Sequence, residues 1–135
     1  MITVDTREKL PWSVYWPDNT YVVATLSTGD YSNGNILIER KSITDLCNSL
    51  GKGKKRFYRE IERGFDFLII EGCKADITTH LKYVNSRMTS QYIMHCLKEI
   101  YEDYGIQIIF ADDRENAAEI ALHILIDYNI SPNCL

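Results

Sequence analysis

GDYSNGNILIERKSITD, residues 29–45, combines a turn signal, a strand pattern and a helix start. Its Asn33-Gly34 pair is a preferred connector between antiparallel strands, because both residue types tolerate positive φ. The apolar, β-branched run at residues 36–41 is typical of a strand that leaves such a turn. Ser42 is a good helix N-cap, so the stretch predicts a β-hairpin that continues directly into a helix.

The hairpin gathers acidic and basic side chains. Side chains alternate between the two faces of a strand, so Glu39 and Lys41 point the same way. Asp30 lies just before the turn on the partner strand and can reach that face. Two carboxylates beside an ammonium suit a magnesium site for phosphodiester chemistry, with Asp5 at the end of its own strand as a third carboxylate. The alternative is an exposed hairpin tip whose surface ion pairs contribute under about 1 kcal/mol.

Length and composition are those of one globular domain, residues 1–135. The sequence is 45% hydrophobic and 25% charged, and its apolar runs are too short to span a bilayer. The first residues lack the basic and apolar regions of a signal peptide, which predicts a cytoplasmic location and no membrane partner. The net charge is −4, so a nucleic acid must bind through a local patch. The four cysteines form no CxxC pair and are expected to be buried free thiols.

Hydrophobic periodicity in the rest of the chain predicts a mixed sheet flanked by helices. Pro11 and Pro17 predict an irregular loop between the first two strands, where Trp12, Tyr15 and Trp16 either cover the core or stack on unpaired bases. The predicted strands outside the hairpin are residues 2–5, 21–26, 65–71 and 106–110, and the first two form a meander with the hairpin. The predicted helices are residues 43–50, 57–63 and 76–81, one from Thr89 or Ser90 to Tyr104, and one that begins at Asp112 or Asp113 and ends before Pro132.

Three short motifs together resemble the signature of the XPF-type structure-selective endonucleases. They are VDTRE at residues 4–8, GDY at residues 29–31 and ERKSITD at residues 39–45. RFYREIER at residues 56–63 and FLIIEG at residues 67–72 are similar to the segments that follow in that family. The resemblance implies a restriction-endonuclease-like α/β core of the PD-(D/E)XK superfamily, with a mixed central sheet flanked by helices. It also implies DNA cleavage that depends on Mg²⁺ or Mn²⁺.

The resemblance implies a role for each residue of the motifs. Asp5, Asp30 and Glu39 would be metal ligands, and Lys41 would orient the attacking water and offset charge. A further group would line or support the site: Arg7, Glu8, Asp45, Arg56 and Glu60. For Asp45 the sequence leaves an equally good alternative, because it lies three residues after Ser42 and suits the start of the helix.

A basic loop follows the helix that begins after the hairpin. Its cations, with those of the next helix, are expected to contact the DNA backbone: Lys52, Lys54, Lys55, Arg56 and Arg59. Flexible, solvated charge is the alternative.

These observations predict a metal-dependent endonuclease for branched, flapped or single-strand-containing DNA in repair, recombination or phage DNA processing. The alternatives are a catalytically silent nuclease-like module that binds DNA or protein, and a nuclease that acts on RNA. Many members of the family add a tandem helix-hairpin-helix module. No such motif is seen in this sequence, which favours a stand-alone phage or bacterial protein and leaves selectivity for branched DNA open. Apolar helix faces make a homodimer through the nuclease domain a further expectation.

Overall fold

The centre of the fold is a six-stranded mixed sheet with the strand order β2-β1-β3-β4-β5-β6. The computed structural model describes the backbone of residues 1–130 and the side chains of residues 1–127. The strands are β1 (Ile2–Asp5), β2 (Tyr21–Ala24), β3 (Tyr31–Ser32), β4 (Leu37–Ser42), β5 (Phe67–Glu71) and β6 (Gln107–Phe110). The predicted architecture, a mixed sheet flanked by helices, is confirmed.

The β3–β4 hairpin forms as predicted, with Tyr31 opposite Ile38. Asn33 stabilises the turn, because its Oδ1 accepts hydrogen bonds from the backbone N–H groups two and three residues later, at 2.9 and 2.7 Å. Gly34 has a φ of 96°, which only glycine adopts without steric cost. These turn interactions fix the pairing register of β3 with β4, the strand that carries Glu39 and Lys41.

The predicted meander is wrong, because β1 and β2 run parallel. The chain between them makes a crossover that contains a short 3-10 helix, Trp12–Tyr15, where the prolines predict only irregular structure. Pro11 lies just before this turn and Pro17 after it, so neither takes away an N–H group that the turn requires. β1 pairs antiparallel with β3, whereas β4, β5 and β6 are parallel neighbours.

Five helices flank the sheet: α1 (Ile43–Leu50), α2 (Lys54–Arg63), α3 (Lys74–Tyr83), α4 (Ser90–Tyr104) and α5 (Arg114–Ile130). α1 and α4 have the predicted bounds. α2 begins three residues earlier than predicted, because Gly53 is its N-cap. α3 is longer at both ends than predicted, and its start is fixed by a capping box between Cys73 and Asp76. Asp113 is the predicted start of α5, and it accepts a hydrogen bond from Asn116 N at 2.8 Å. The predicted stop at Pro132 lies outside the described residues.

Two hydrophobic clusters pack on opposite faces of the sheet. Side chains of β5 alternate between the two clusters. Leu68 and Ile70 belong to the cluster that faces α1 to α4, and Ile69 belongs to the cluster beneath α5. Trp12 and Trp16 are buried in the second cluster, so they cover the core.

Two further expectations are only partly met. β6 is an edge strand with partly exposed residues, although its apolar run predicts a buried one. Cys47 and Cys96 are buried free thiols and Cys73 is half-buried, whereas Cys134 lies outside the described residues. In the part of the chain that the structure describes, no helix has both the length and the apolar character that crossing a membrane requires.

Candidate active site

Three strand ends meet at one edge of the sheet and carry the acidic residues of the motifs. β1 ends at Asp5 and β4 ends just beyond Lys41, whereas β3, which runs in the opposite direction, begins just after Asp30. Backbone hydrogen bonds lock Asp30 in place, because Asp5 N donates to its carbonyl at 2.9 Å and its own N–H donates to Ile38 O at 2.8 Å. The sheet therefore brings together residues that lie far apart in the sequence.

Asp30 and Glu39 form a carboxylate pair in which Asp30 is half-buried and Glu39 is buried. Asp30 Oδ2 accepts a hydrogen bond from Arg40 N at 2.8 Å, and Glu39 is only 8% exposed. Burial, the charge of Asp30 and a hydrogen bond to Asp30 raise the pKa of Glu39 to about 9. A cation between the two carboxylates would offset the free-energy cost of their negative charge, because a nearby cation favours the ionised form of a carboxylate.

Lys41 lies beside this pair, on the same face of β4 as the sequence predicts. Its Nζ is 3.7 Å from Glu39 Oε2 and 4.8 Å from the ring centroid of Phe57. The charge of Lys41 lowers the pKa of Glu39, but burial outweighs it. A lysine held in this way can orient a water molecule and offset negative charge on a phosphate.

A cleft of about 240 Å³, here called the carboxylate cleft, opens over the pair. Four of the predicted site residues join Asp30 and Glu39 in its lining: Asp5, Arg7, Glu8 and Glu60. Arg63 also lines the cleft, and sequence reasoning missed it. Its position on α2, three residues after Glu60, could have signalled a shared helix face.

Asp5 lies in the cleft, but Arg7 engages its carboxylate. Arg7 Nε donates to Asp5 Oδ2 at 2.8 Å and Nη2 donates to Oδ1 at 3.2 Å. Leu26 N donates to Oδ1 at 2.8 Å. Burial alone would raise the pKa of Asp5, but the hydrogen bonds from Arg7 and Leu26 lower it below its ordinary value.

Glu8 also lines the cleft and joins a largely buried network around Arg40, whose side chain lies on the face of β4 opposite to Glu39. It accepts hydrogen bonds from Arg40 Nη1 at 2.9 Å and from the Tyr31 hydroxyl at 2.7 Å. Arg40 Nε lies 3.0 Å from Glu71 Oε1, and Trp12 Nε1 donates to Glu71 Oε2 at 2.9 Å. Burial and the charge of Asp30 raise the pKa of Glu8 despite these bonds. Because Arg40 lies between Glu39 and Lys41, this network holds the strand that presents them.

The cations of α2 and the loop before it line a larger depression of about 940 Å³, here called the basic groove. Its basic residues are Lys41, Lys52, Lys55, Arg56 and Arg59, against the two acids Asp45 and Glu60. Glu60 lines both the groove and the carboxylate cleft, so the two adjoin. Asp45 N donates to the Ser42 Oγ cap at 3.1 Å, so Asp45 lies in the first turn of α1, and it also lines the groove.

Lys54 is separated from the other predicted DNA contacts. Its Nζ donates to the Tyr92 hydroxyl at 3.0 Å and lies 5.7 Å from the ring centroid of Tyr58. Its ammonium therefore faces α4 and not the basic groove. The early start of α2 explains this, because it gives Lys54 a helical position where the sequence predicts a loop.

Hard oxygen donors of the carboxylate pair fit a Mg²⁺ or Mn²⁺ ion. Magnesium sites commonly use one or two carboxylates and complete their shell with water and substrate phosphate. Among the described residues, no group of three or more His, Cys, Asp or Glu side chains is arranged to hold a metal ion. The structure thus places Asp30 and Glu39 together as candidate ligands and gives Asp5 a different set of partners.

Comparisons with known proteins bear on this site. The ERCC4 domain profile matches residues 4–124. The structure is similar to XPF from Aeropyrum pernix, with a TM-score of 0.75 and 21% identity over 99% of this chain and 63% of that one. It is also similar to XPF from Aeropyrum pernix in complex with DNA, with a TM-score of 0.70 and 20% identity over 97% of this chain and 65% of that one.

These likenesses confirm the fold that the motifs predict. This chain spans less than two thirds of the length of the solved chains that it matches. No curated protein matches the sequence.

Proposed function

The chain belongs to the ERCC4 domain family, and we propose that it is a metal-dependent DNA endonuclease. It hydrolyses phosphodiester bonds in branched, flapped or single-strand-containing DNA, the substrates that repair and recombination produce. The observation that carries the proposal is the pair of Asp30 and the buried Glu39 with Lys41 beside it. Two neighbouring carboxylates are costly to remove from water, and a divalent ion held by Asp30 and Glu39 would offset that cost.

Asp30 and Glu39 would hold the Mg²⁺ or Mn²⁺ ion. When bound, it would polarise the scissile phosphate and lower the pKa of a coordinated water. Lys41 would position the attacking water, since its ammonium lies 3.7 Å from Glu39. The network around Arg40 fixes β4, so these side chains need little reorganisation when substrate binds.

The basic groove supplies a path for the nucleic acid. All five of its cations lie outside the lining of the carboxylate cleft: Lys41, Lys52, Lys55, Arg56 and Arg59. Contacts from such residues to phosphates position a strand without reading its sequence. The likeness to XPF in complex with DNA agrees with DNA as the ligand. A strand that lay in the groove would lead a phosphate to the carboxylate pair, because the two depressions adjoin.

Cleavage of end-labelled flapped, forked and fully paired DNA, with a matched RNA flap, tests the proposal. In Mn²⁺ we expect the wild type to cut flapped or forked DNA faster than paired DNA or RNA, and we expect a chelator to stop it. Asp30→Asn and Lys41→Ala are each expected to lower the single-turnover rate by about 100-fold or more.

The exposed Asp18, which lines neither depression, offers a matched control. Asp18→Asn should retain the wild-type rate, and the melting temperatures of all variants should show that they are folded. A folded wild type that cuts none of the substrates in Mn²⁺ would refute the proposal. Faster cleavage of the RNA flap would assign the site to RNA.

A further inference from the structure

The carboxylate of Asp5 is fully occupied by hydrogen bonds within the protein. Its Oδ1 accepts from Leu26 N at 2.8 Å and from Arg7 Nη2 at 3.2 Å. Its Oδ2 accepts from Arg7 Nε at 2.8 Å and from Arg7 N at 3.3 Å. An ionised carboxylate has about four lone-pair sites, so these four bonds use them all. Asp5 is also only 3% exposed, which leaves it poorly placed to accept a cation.

Arg7 has the opposite character, because one edge of its guanidinium is fixed and the other is open. Its side chain is 67% exposed and lines the carboxylate cleft together with Asp30 and Glu39. Besides its bonds to Asp5, its Nη2 donates to Leu26 O at 2.7 Å. The two N–H groups of Nη1 have no hydrogen-bond partner among the described residues. Arginine has five N–H donors, so a pair remains for a ligand.

The electrostatics of the cleft agree with this geometry. The hydrogen bond and charge of Asp5 raise the pKa of Arg7, and the charges of Asp30 and Glu39 raise it further. Arg7 is therefore a permanent cation next to the carboxylates that would hold the metal. A phosphate that approached the pair would meet positive charge from Lys41 in the basic groove and from Arg7 in the cleft.

We propose that Arg7 is a catalytic residue whose Nη1 donates to a non-bridging oxygen of the scissile phosphate, and that Asp5 positions Arg7 and does not bind the metal. This inference rests on the proposed function. In that hydrolysis a water oxygen bonds to phosphorus and loses a proton to solvent. The bond to the sugar oxygen breaks, and that oxygen keeps the electron pair and takes up a proton. Negative charge on the phosphoryl oxygens is what Arg7 stabilises.

The planar fork of arginine is essential to this role. Asp5 holds Nε and Nη2, so Nη1 points outward in a fixed direction, and a lysine ammonium cannot serve both partners in that way. In Asp5→Asn an amide N–H₂ replaces one acceptor and faces the donors of Arg7. The Asn variant therefore releases Arg7 while it keeps the size of the side chain.

Two measurements test the inference on Arg7→Ala, Arg7→Lys, Asp5→Asn, the Arg7→Ala/Asp5→Asn double variant and Asp30→Asn. Calorimetric titration with Mn²⁺, without DNA, should give Asp5→Asn an affinity within about twofold of wild type, whereas Asp30→Asn should lose about tenfold or more. Single-turnover cleavage at saturating DNA should fall about 100-fold in Arg7→Ala and in Asp5→Asn, with little recovery in Arg7→Lys. The double variant should be no slower than Arg7→Ala, because Asp5 acts through Arg7.

Several results would overturn the inference. If Asp5→Asn lost Mn²⁺ affinity as Asp30→Asn does, Asp5 would be a ligand. If Arg7→Ala or Arg7→Lys kept the wild-type rate, Arg7 would not be catalytic. If the rate loss of the double variant equalled the product of the two single losses, Asp5 and Arg7 would act independently and Asp5 would not act through Arg7. Arg7 is exposed, so Arg7→Ala tests the claim even if Asp5→Asn fails to fold. A wild type that binds Mn²⁺ but cuts no DNA would instead refute the proposed function, and the Mn²⁺ affinities would still decide the role of Asp5.

Discussion

Replacing Glu39 by glutamine removes an ionisable group whose charged form is disfavoured in the folded chain. Without metal, burial, the charge of Asp30 and a hydrogen bond to Asp30 raise the pKa of Glu39 to about 9 in the folded chain. Unfolded glutamate has a pKa of about 4.3, so between about pH 4.3 and pH 9 Glu39 is protonated in the folded chain and ionised in the unfolded chain. Stability is lost as the pH rises through this window, because the unfolded chain then binds fewer protons than the folded one.

The size of the effect follows from the window. One pKa unit corresponds to about 1.4 kcal/mol, so this one group lowers the stability of the wild type by up to about 3 kcal/mol between pH 6 and pH 8. Glu39→Gln retains the shape of the side chain and does not titrate. At about pH 8 in chelator it should therefore be more stable than wild type, and its advantage should grow by about 1–3 kcal/mol between pH 6 and pH 8. With saturating Mn²⁺ the order should reverse, because only the wild type gains the binding energy of an ionised ligand.

Urea unfolding at several pH values, with chelator and then with Mn²⁺, measures these differences. The comparison of variants is needed because burial and Asp30 also raise the pKa of Glu8, which gives the wild type a second contribution of the same sign. Glu119→Gln, on the exposed side of α5, is the matched control and should follow the wild type at every pH. Equal pH dependence in Glu39→Gln and wild type would show that the pKa of Glu39 is not raised in the folded chain.

Three further predictions concern the surroundings of the site. Arg40→Ala should destabilise the fold by about 3 kcal/mol, because it leaves two buried glutamates without their cation, and a loss under about 1 kcal/mol in urea unfolding would contradict this. Lys55→Ala should weaken DNA binding and reduce by about one the slope of log affinity against log salt concentration. Lys54→Ala should leave this slope unchanged and lower the melting temperature, so equal slopes for the two variants would contradict the prediction. Gly72→Ala should destabilise by about 1–3 kcal/mol in the same unfolding assay, since its Cβ would lie 2.5 Å from Ile43 Cγ1, and an unchanged melting temperature would show that the contact relaxes.

The parts of the site that depend on local rules could be predicted from the sequence. Strand alternation places Glu39 and Lys41 on one face, and Ser42 caps α1 where the sequence predicts it. The Asn33-Gly34 turn likewise sets the hairpin register. Each of these outcomes follows from residues only a few positions apart.

The parts that depend on tertiary contacts could not be predicted in this way. The partner of Arg40 on β5, Glu71, lies 31 positions along the chain, and the parallel pairing of β2 with β1 depends on a crossover that no local pattern specifies. Lys54 turns towards Tyr92 because the hydroxyl and ring surface of another helix compete with solvent for its ammonium. Periodicity reports which residues are buried or exposed, and it does not report which polar groups will meet.

The homodimer through the nuclease domain stays a prediction, and α4 offers a surface on which to test it. Tyr101 and Tyr104 on that helix are exposed. A charged substitution of Tyr101 should lower the sedimentation coefficient of a dimer at high concentration. A wild type that sediments as a monomer under those conditions would remove the expectation.

We propose that the two carboxylates of the hairpin, Asp30 and Glu39, hold a divalent metal ion. Anomalous diffraction from crystals soaked in Mn²⁺ tests this binding, because the manganese position is observed without reference to activity. We expect one strong peak within coordination distance of both Asp30 and Glu39, about 2.0–2.3 Å from a carboxylate oxygen of each. Asp5 should keep its four hydrogen bonds in that structure. A peak on Asp5, or no peak at the pair in crystals that hold manganese elsewhere, would show that the pair is not the metal site.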